Sequence, residues 1–171
     1  TGAALVCGTT GYSAEEAAEI RSLAECAPVI LSANYSVGVA VLKHLSAEAA
    51  KLLGDDFDIE IVETHHRMKA DAPSGTAKLL LRAIDPEGKR RTVYGREGMM
   101  KREGNEIGVH AVRGGTVAGV HTVSFFGPDE ELSLTHRAES RRIFALGAIK
   151  AGERLKNRAP GWYTMDDLLF S

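Results

Sequence analysis

The chain has 171 residues, 44% of them hydrophobic and 26% charged, with a formal net charge of -2 at pH 7. That length and apolar content support one complete core and part of a second, while acids and bases mixed along the sequence argue against nucleic acid or an anionic membrane as the main partner. No signal peptide or bilayer-length apolar run is read, and Cys7 and Cys26 form no paired framework, so a cytoplasmic chain with free thiols is expected.

Ala3-Ala-Leu-Val-Cys7 is a short apolar run of the kind found in a buried parallel strand, followed at once by Gly8-Thr-Thr-Gly11. On spacing alone that turn is an ordinary strand-to-helix connection. Ser13-Ala-Glu-Glu16 is a capping box opening a helix from Ala14 to Glu25, and Pro28-Val-Ile-Leu31 is a second apolar strand ending at Ser32-Ala-Asn-Tyr35. Such consecutive strands lie parallel, which puts their C-terminal loops along one crevice edge of an open sheet. Val37, Val39, Val41, Leu42, Leu45, Leu52 and Leu53 then mark a helix bridging into a second domain and stopped by Gly54-Asp-Asp56, with a boundary near residues 34–38.

Asp58-Ile-Glu-Ile-Val-Glu63 alternates apolar and acidic residues, a strand that delivers His65 and His66 at its exit. Neighbouring side chains on extended backbone point to opposite faces, so the two imidazoles are read as having separate tasks and no metal is assigned. Asp71-Ala-Pro-Ser-Gly-Thr76 leads into a leucine-rich helix running to Ile84, with Ser74 or Asp71 as its cap. The free N–H groups of that helix start, the hydroxyls of Ser74 and Thr76 and the close approach allowed by Gly75 suit a carboxylate, and Lys69 adds positive charge. An acid–base histidine, a proton-donating lysine and a carboxylate cradle point to reduction or tautomerisation of a small carboxylated imine or carbonyl compound. Taken singly, each of these residues has a structural explanation as well: satisfied loop backbone, a helix cap, a solvated lysine.

Asp85 to Asn105 is polar and rich in Gly, Lys and Arg, and reads as a mobile loop. Strand-like runs follow at Ile107–Val112, Thr116–Phe126 and Glu131–Arg137, joined by hairpin turns at Arg113-Gly-Gly115 and Gly127-Pro-Asp-Glu130. A helix from Ser140 to about Leu155, with small residues at Ala145, Gly147, Ala148, Ala151 and Gly152, closes the domain. His44, His110 and His121 read as packed or surface histidines, Arg142 as solvated, and Arg113 is left open. The whole is expected to be α/β: the remnant of a Rossmann-like part over residues 1–35, with residues 156–171 available to return to it, and an α+β part with a mixed sheet over 36–155.

The fourteen residues Glu63-Thr-His-His-Arg-Met-Lys-Ala-Asp-Ala-Pro-Ser-Gly-Thr76 resemble the signature of the 4-hydroxy-tetrahydrodipicolinate (dihydrodipicolinate) reductase family, fitting every fixed position of Glu-x-His-His-x-x-Lys-x-Asp-x-Pro-Ser-Gly-Thr. The likeness extends through Gly8–Gly11, Ser32–Gly38, Gly95–Gly98, Val112–Gly114, His121-Thr122, Thr135–Ala138 and Gly161–Leu168. It implies hydride transfer from NADH or NADPH to an unsaturated cyclic imine dicarboxylate, with His65 as the main acid–base residue and Lys69 as second proton donor. By the same resemblance His66, Ser74, Gly75 and Thr76 hold the substrate's carboxylates, and Gly8, Thr9, Thr10, Ser32, Ala33, Asn34 and Tyr35 surround the nicotinamide. A homotetramer built through the second domain's sheet is also implied. Compared with the family, the first strands and the phosphate-binding loop are missing, so the chain is expected to begin partway through the cofactor domain. Two other readings stay open: a relic that binds pyridine dicarboxylates without hydride transfer, and a lyase using Lys69 as a Schiff-base nucleophile.

Overall fold

The structure is a computed structural model that describes residues 3–170. In chain order the elements are β1 (Leu5–Cys7), α1 (Ala14–Ser22), β2 (Pro28–Leu31), α2 (Val37–Leu53), β3 (Asp58–His65), α3 (Gly75–Ile84) and β4 (Arg91–Val93). β5 (Glu106–Arg113), β6 (Gly119–Gly127), β7 (Glu130–Ala138), α4 (Arg142–Leu155), β8 (Gly161–Tyr163) and α5 (Met165–Leu169) complete it. The fold is α/β and divides into two compact units, one of residues up to Ala40 together with Arg141 onward, the other Val41–Ser140. The outermost limits expected for the domains, residues 1 and 171, lie outside the described residues.

In the first unit, β1, β2 and β8 form a parallel sheet in that order, with Val29 in register between Leu5 and Trp162. The capping box is present: the Glu16 N–H donates to Ser13 Oγ at 3.2 Å and the Ser13 N–H to Glu16 Oε2 at 2.8 Å. Ile30, Tyr35, Ala40, Ala151, Leu155, Met165 and Leu168 make the core. The helix that sequence assigns to the second domain, α4, therefore belongs here, and the limits shift from 35/36 and 155/156 to 40/41 and 140/141. Its amphipathic pattern specifies a buried face without naming the surface that buries it. Gly147 explains the close fit, because a Cβ there would lie 1.8 Å from the Tyr35 carbonyl oxygen.

In the second unit a five-stranded mixed sheet runs in the order β4-β5-β3-β6-β7. β3 is the centre, parallel to β5 and antiparallel to β6, with Ile61 in register between Val109 and Val123. The hairpin expected at Arg113-Gly-Gly115 is thus absent, since β3 is inserted between β5 and β6, whereas β6 and β7 do form a hairpin through Gly127 to Glu130. Alternation along a strand fixes which face is buried and leaves the partner strand undetermined. On the buried face Ile59, Ile61, Ile107, Val109, Val123 and Phe125 pack against Leu42 of α2 and Ala77 and Leu80 of α3. Burial of each large side chain contributes about 1.5–3 kcal/mol. The opposite face leaves Val62, Val112 and Phe126 exposed.

The polar excursion is also more ordered than a loop. It contributes edge strand β4, and the segment after it is tied to the sheet: Arg96 bonds Glu60 at 3.0 Å and Glu106 at 2.5 Å, and Arg102 pairs with Glu60 and, at 2.8 Å, with Asp58. Acid and base positions that look solvated in one dimension become neighbours once β3 and β5 lie side by side.

Candidate active site

β3 carries Ile59, Ile61, Glu63 and His65 on its inward side, so the parity that builds the core also drives a carboxylate and an imidazole into it. Glu63 is fully buried, at 0% exposure. A buried carboxylate is tolerable only with its lone pairs occupied, and here four donors converge on it. Oε2 takes His65 Nδ1 at 2.6 Å and Arg113 Nη1 at 2.9 Å, while Oε1 takes Arg113 Nη2 at 2.7 Å and the Ser74 N–H at 2.9 Å. Burial pushes the Glu63 carboxyl up, but Arg113, His65 and the Ser74 N–H outweigh it and hold the group below the usual carboxylate range.

Arg113, at the end of β5, is the second organiser. Besides Glu63 it donates from Nε to the Lys69 carbonyl at 3.3 Å and from Nη2 to the Asp71 carbonyl at 2.7 Å. The loop after β3 is held from the other side by the His66 N–H to Val117 O at 2.8 Å and the Arg67 N–H to Gly115 O at 3.2 Å. Lys69 Nζ lies 2.6 Å from Asp71 Oδ1, and this ion pair holds the Asp71 carboxyl below its ordinary range.

Ser74, not Asp71, caps α3: its Oγ accepts the Ala77 N–H at 3.1 Å. The same Oγ lies 3.0 Å from His121 Nε2, on the inward side of β6. His121 is 4% exposed and stands edge-on to the His65 ring, with centroids 5.1 Å apart. Burial, then the neighbouring His65, push the His121 imidazole down to about 4, so it is neutral at physiological pH. His136, its cross-strand partner on β7, is lowered by burial too.

His65, His66, Lys69, Ser74, Gly75 and Thr76 therefore fall in one stretch of the second unit, running from the end of β3 to the first turn of α3. His65 and Ser74 are in the interior, His66, Lys69 and Thr76 are half-buried and Gly75 is exposed. Sequence left Arg113 open, read His121 as a packed or surface histidine and gave Glu63 no role of its own, although Glu63 and His121 were detectable as polar residues at core parity on β3 and β6. His110 is not simply packed either, since its Nε2 bonds Glu60 Oε2 at 2.6 Å on the opposite face. Among the described residues no group of three or more His, Cys, Asp or Glu is arranged to hold a metal.

The cofactor candidates lie in the first unit. Gly8, Thr9 and Thr10 follow β1 as exposed residues and Ala33 is exposed after β2. Ser32 Oγ donates to the Asn34 carbonyl at 2.9 Å, and Asn34 Oδ1 accepts the Ser36 N–H at 2.8 Å. Tyr35 is different: it is 4% exposed and its hydroxyl donates to the Cys7 carbonyl at 2.6 Å, so its side chain ties β1 to the turn after β2 instead of standing open to a ligand. Burial, then Cys7, raises its hydroxyl to about 12.

Fold and site together define an α/β protein whose mixed-sheet unit buries a carboxylate bonded to an imidazole, a guanidinium and the N-cap of a helix. The family model described as "Dihydrodipicolinate reductase, C-terminus" matches residues 38–169. The chain is 52% identical over 169 residues to the 4-hydroxy-tetrahydrodipicolinate reductase of Methanocorpusculum labreanum, covering 98% of this chain and 66% of that protein. It is 49% identical to the enzyme of the same name from Akkermansia muciniphila, covering 96% of this chain and 69% of that one. A solved structure of dipicolinate-bound dihydrodipicolinate reductase from Paenisporosarcina sp. TG-14 has the same fold, with a TM-score of 0.74 at 23% identity over 95% of this chain and 63% of that one. The chain belongs to the dihydrodipicolinate reductase family and spans about two thirds of the length of these relatives.

Proposed function

We propose that this chain acts in the NAD(P)H-dependent reduction of a dihydrodipicolinate-type cyclic imine dicarboxylate to tetrahydrodipicolinate, a step of diaminopimelate and lysine synthesis. The observation that carries the proposal is the His65–Glu63 pair at 2.6 Å, joined through Ser74 to the start of α3. A reduced nicotinamide supplies the hydride when bound. Hydride addition to a conjugated imine builds negative charge on the ring, which His65 stabilises and then discharges by protonating the adjoining carbon, with Lys69 as the second donor. The N–H groups at Gly75 and Thr76, the Thr76 hydroxyl and the His66 side chain hold the carboxylates, while the Ser74 hydroxyl, buried and engaged by the Ala77 N–H and His121, caps the helix that presents them instead of touching substrate as the resemblance implied. Lys69 Nζ is engaged by Asp71 Oδ1 at 2.6 Å, an arrangement unlike the unpartnered, desolvated lysine that a Schiff-base lyase uses.

The exposed ends of parallel strands β1 and β2 suit the nicotinamide end of NADH or NADPH through Gly8, Thr9, Thr10, Ser32, Ala33, Asn34 and the backbone of Tyr35. The first unit is assigned to the dinucleotide and the second to substrate binding and to a homotetramer built through its open sheet face, in the cytoplasm. The test is NAD(P)H oxidation by this chain with the precursor generated in place. Turnover inhibited by pyridine-2,6-dicarboxylate supports the reading, and dicarboxylate binding without turnover favours a binding fragment.

A further inference from the structure

We infer that Glu63 is a positioning residue that fixes His65 in the Nδ1–H tautomer, so that Nε2 is the nitrogen that gives and takes the proton. This deepens the reading above and rests on it for the identity of the reaction, though not for the tautomer. An ionised carboxylate is an acceptor only, and Glu63 is held ionised by Arg113, so the 2.6 Å contact to His65 requires a proton on Nδ1. Neutral His65 then has its lone pair on Nε2, and the imidazolium has its transferable proton there. Gly119 of β6 leaves room at that edge: a Cβ built on it would stand 3.0 Å from His65 Nε2.

The other groups around His65 reinforce the assignment. His121 faces it edge-on and is neutral, so it does not compete for the carboxylate, and its Nε2 is engaged with Ser74 Oγ. Arg113 takes one acceptor position on each Glu63 oxygen and anchors the backbone of Lys69 and Asp71, so one buried carboxylate sets both the histidine's tautomer and the placement of the loop. The Ser74 N–H on Oε1 adds the start of α3 to the same centre.

Side-chain nitrogen NMR of the histidine-labelled chain, with His65 assigned by its loss in His65→Gln, reads the tautomer without any need for turnover. The expected result is a protonated Nδ1 and an unprotonated Nε2 in the neutral ring; an Nε2–H tautomer overturns the inference. In Glu63→Gln the tautomer becomes mixed and kcat falls about 100-fold or more with KM little changed. A folded Glu63→Gln with unaltered kcat and tautomer also overturns it, and if that variant does not fold the wild-type spectrum decides alone. A chain lacking turnover would contradict the reductase reading while leaving the tautomer to be read.

Discussion

Two carboxylates on the same strand, Glu60 and Glu63, each bond one histidine and at least one arginine, yet they do different work. Glu60 faces the uncovered side of the sheet, where His110 is 30% exposed and Arg96 and Arg102 fasten the segment after β4. Glu63 faces the interior, where its histidine side chain is 11% exposed and its neighbour is the N-terminus of a ten-residue helix. Both carboxyls are held below their ordinary range against opposing burial, chiefly by arginine and histidine. A perturbed carboxylate is therefore no mark of a site in itself. What separates the two is the surroundings: anion-receptive N–H groups and a second, neutral histidine beside Glu63, and a loop to be stapled beside Glu60.

Substitutions can break this contrast in graded steps. The largest effect is expected from His65→Gln, which should lower kcat by about 10²–10⁴ in steady-state kinetics with cofactor affinity retained, whereas His110→Gln should leave kcat unchanged. Equal losses would erase the distinction between the two faces. Next, Arg113→Met leaves Glu63 buried without its main counter-charge and should cost about 3 kcal/mol in urea unfolding; Arg102→Met, with Arg96 and His110 still on Glu60, should cost about 1 kcal/mol or less.

A pH experiment sharpens the same comparison. His121 has a folded value of about 4 against an ordinary 6.5, so below pH 6.5 the unfolded chain takes up a proton that the folded chain refuses. Its contribution is complete above pH 6.5 and falls as pH drops toward 4, by about 3 kcal/mol at most. Urea midpoints for His121→Gln should be flatter across that window than those of the wild type, and parallel curves would remove His121 as a buried neutral base. Last, Thr76→Val should raise the substrate KM several-fold with kcat nearly intact, because a donor to the bound carboxylate is lost while the proton path remains.

How far sequence carries can be traced residue by residue. The capping box at Ser13, strands β1 and β2, the strand that delivers His65 and the start of a helix after Pro73, with its cap narrowed to Ser74 or Asp71, were all legible, because each depends on neighbours within a few positions. The partner of β5, the unit to which α4 belongs and the attachment of the segment carrying Arg96 and Arg102 were not, since they depend on contacts between residues tens of positions apart. Glu63 and His121 lie between these cases. Their inward parity was visible, but that Glu63 meets Arg113 and His121 meets Ser74 follows only from the insertion of β3 between β5 and β6.

The central claim, that the stretch from His65 to Thr76 receives a dicarboxylate, is tested most directly by calorimetric titration of pyridine-2,6-dicarboxylate into this chain and its Lys69→Ala and Thr76→Val variants. The account predicts saturable binding at one site per chain, weakened by both substitutions. No binding, or binding that both substitutions leave unchanged, would contradict it.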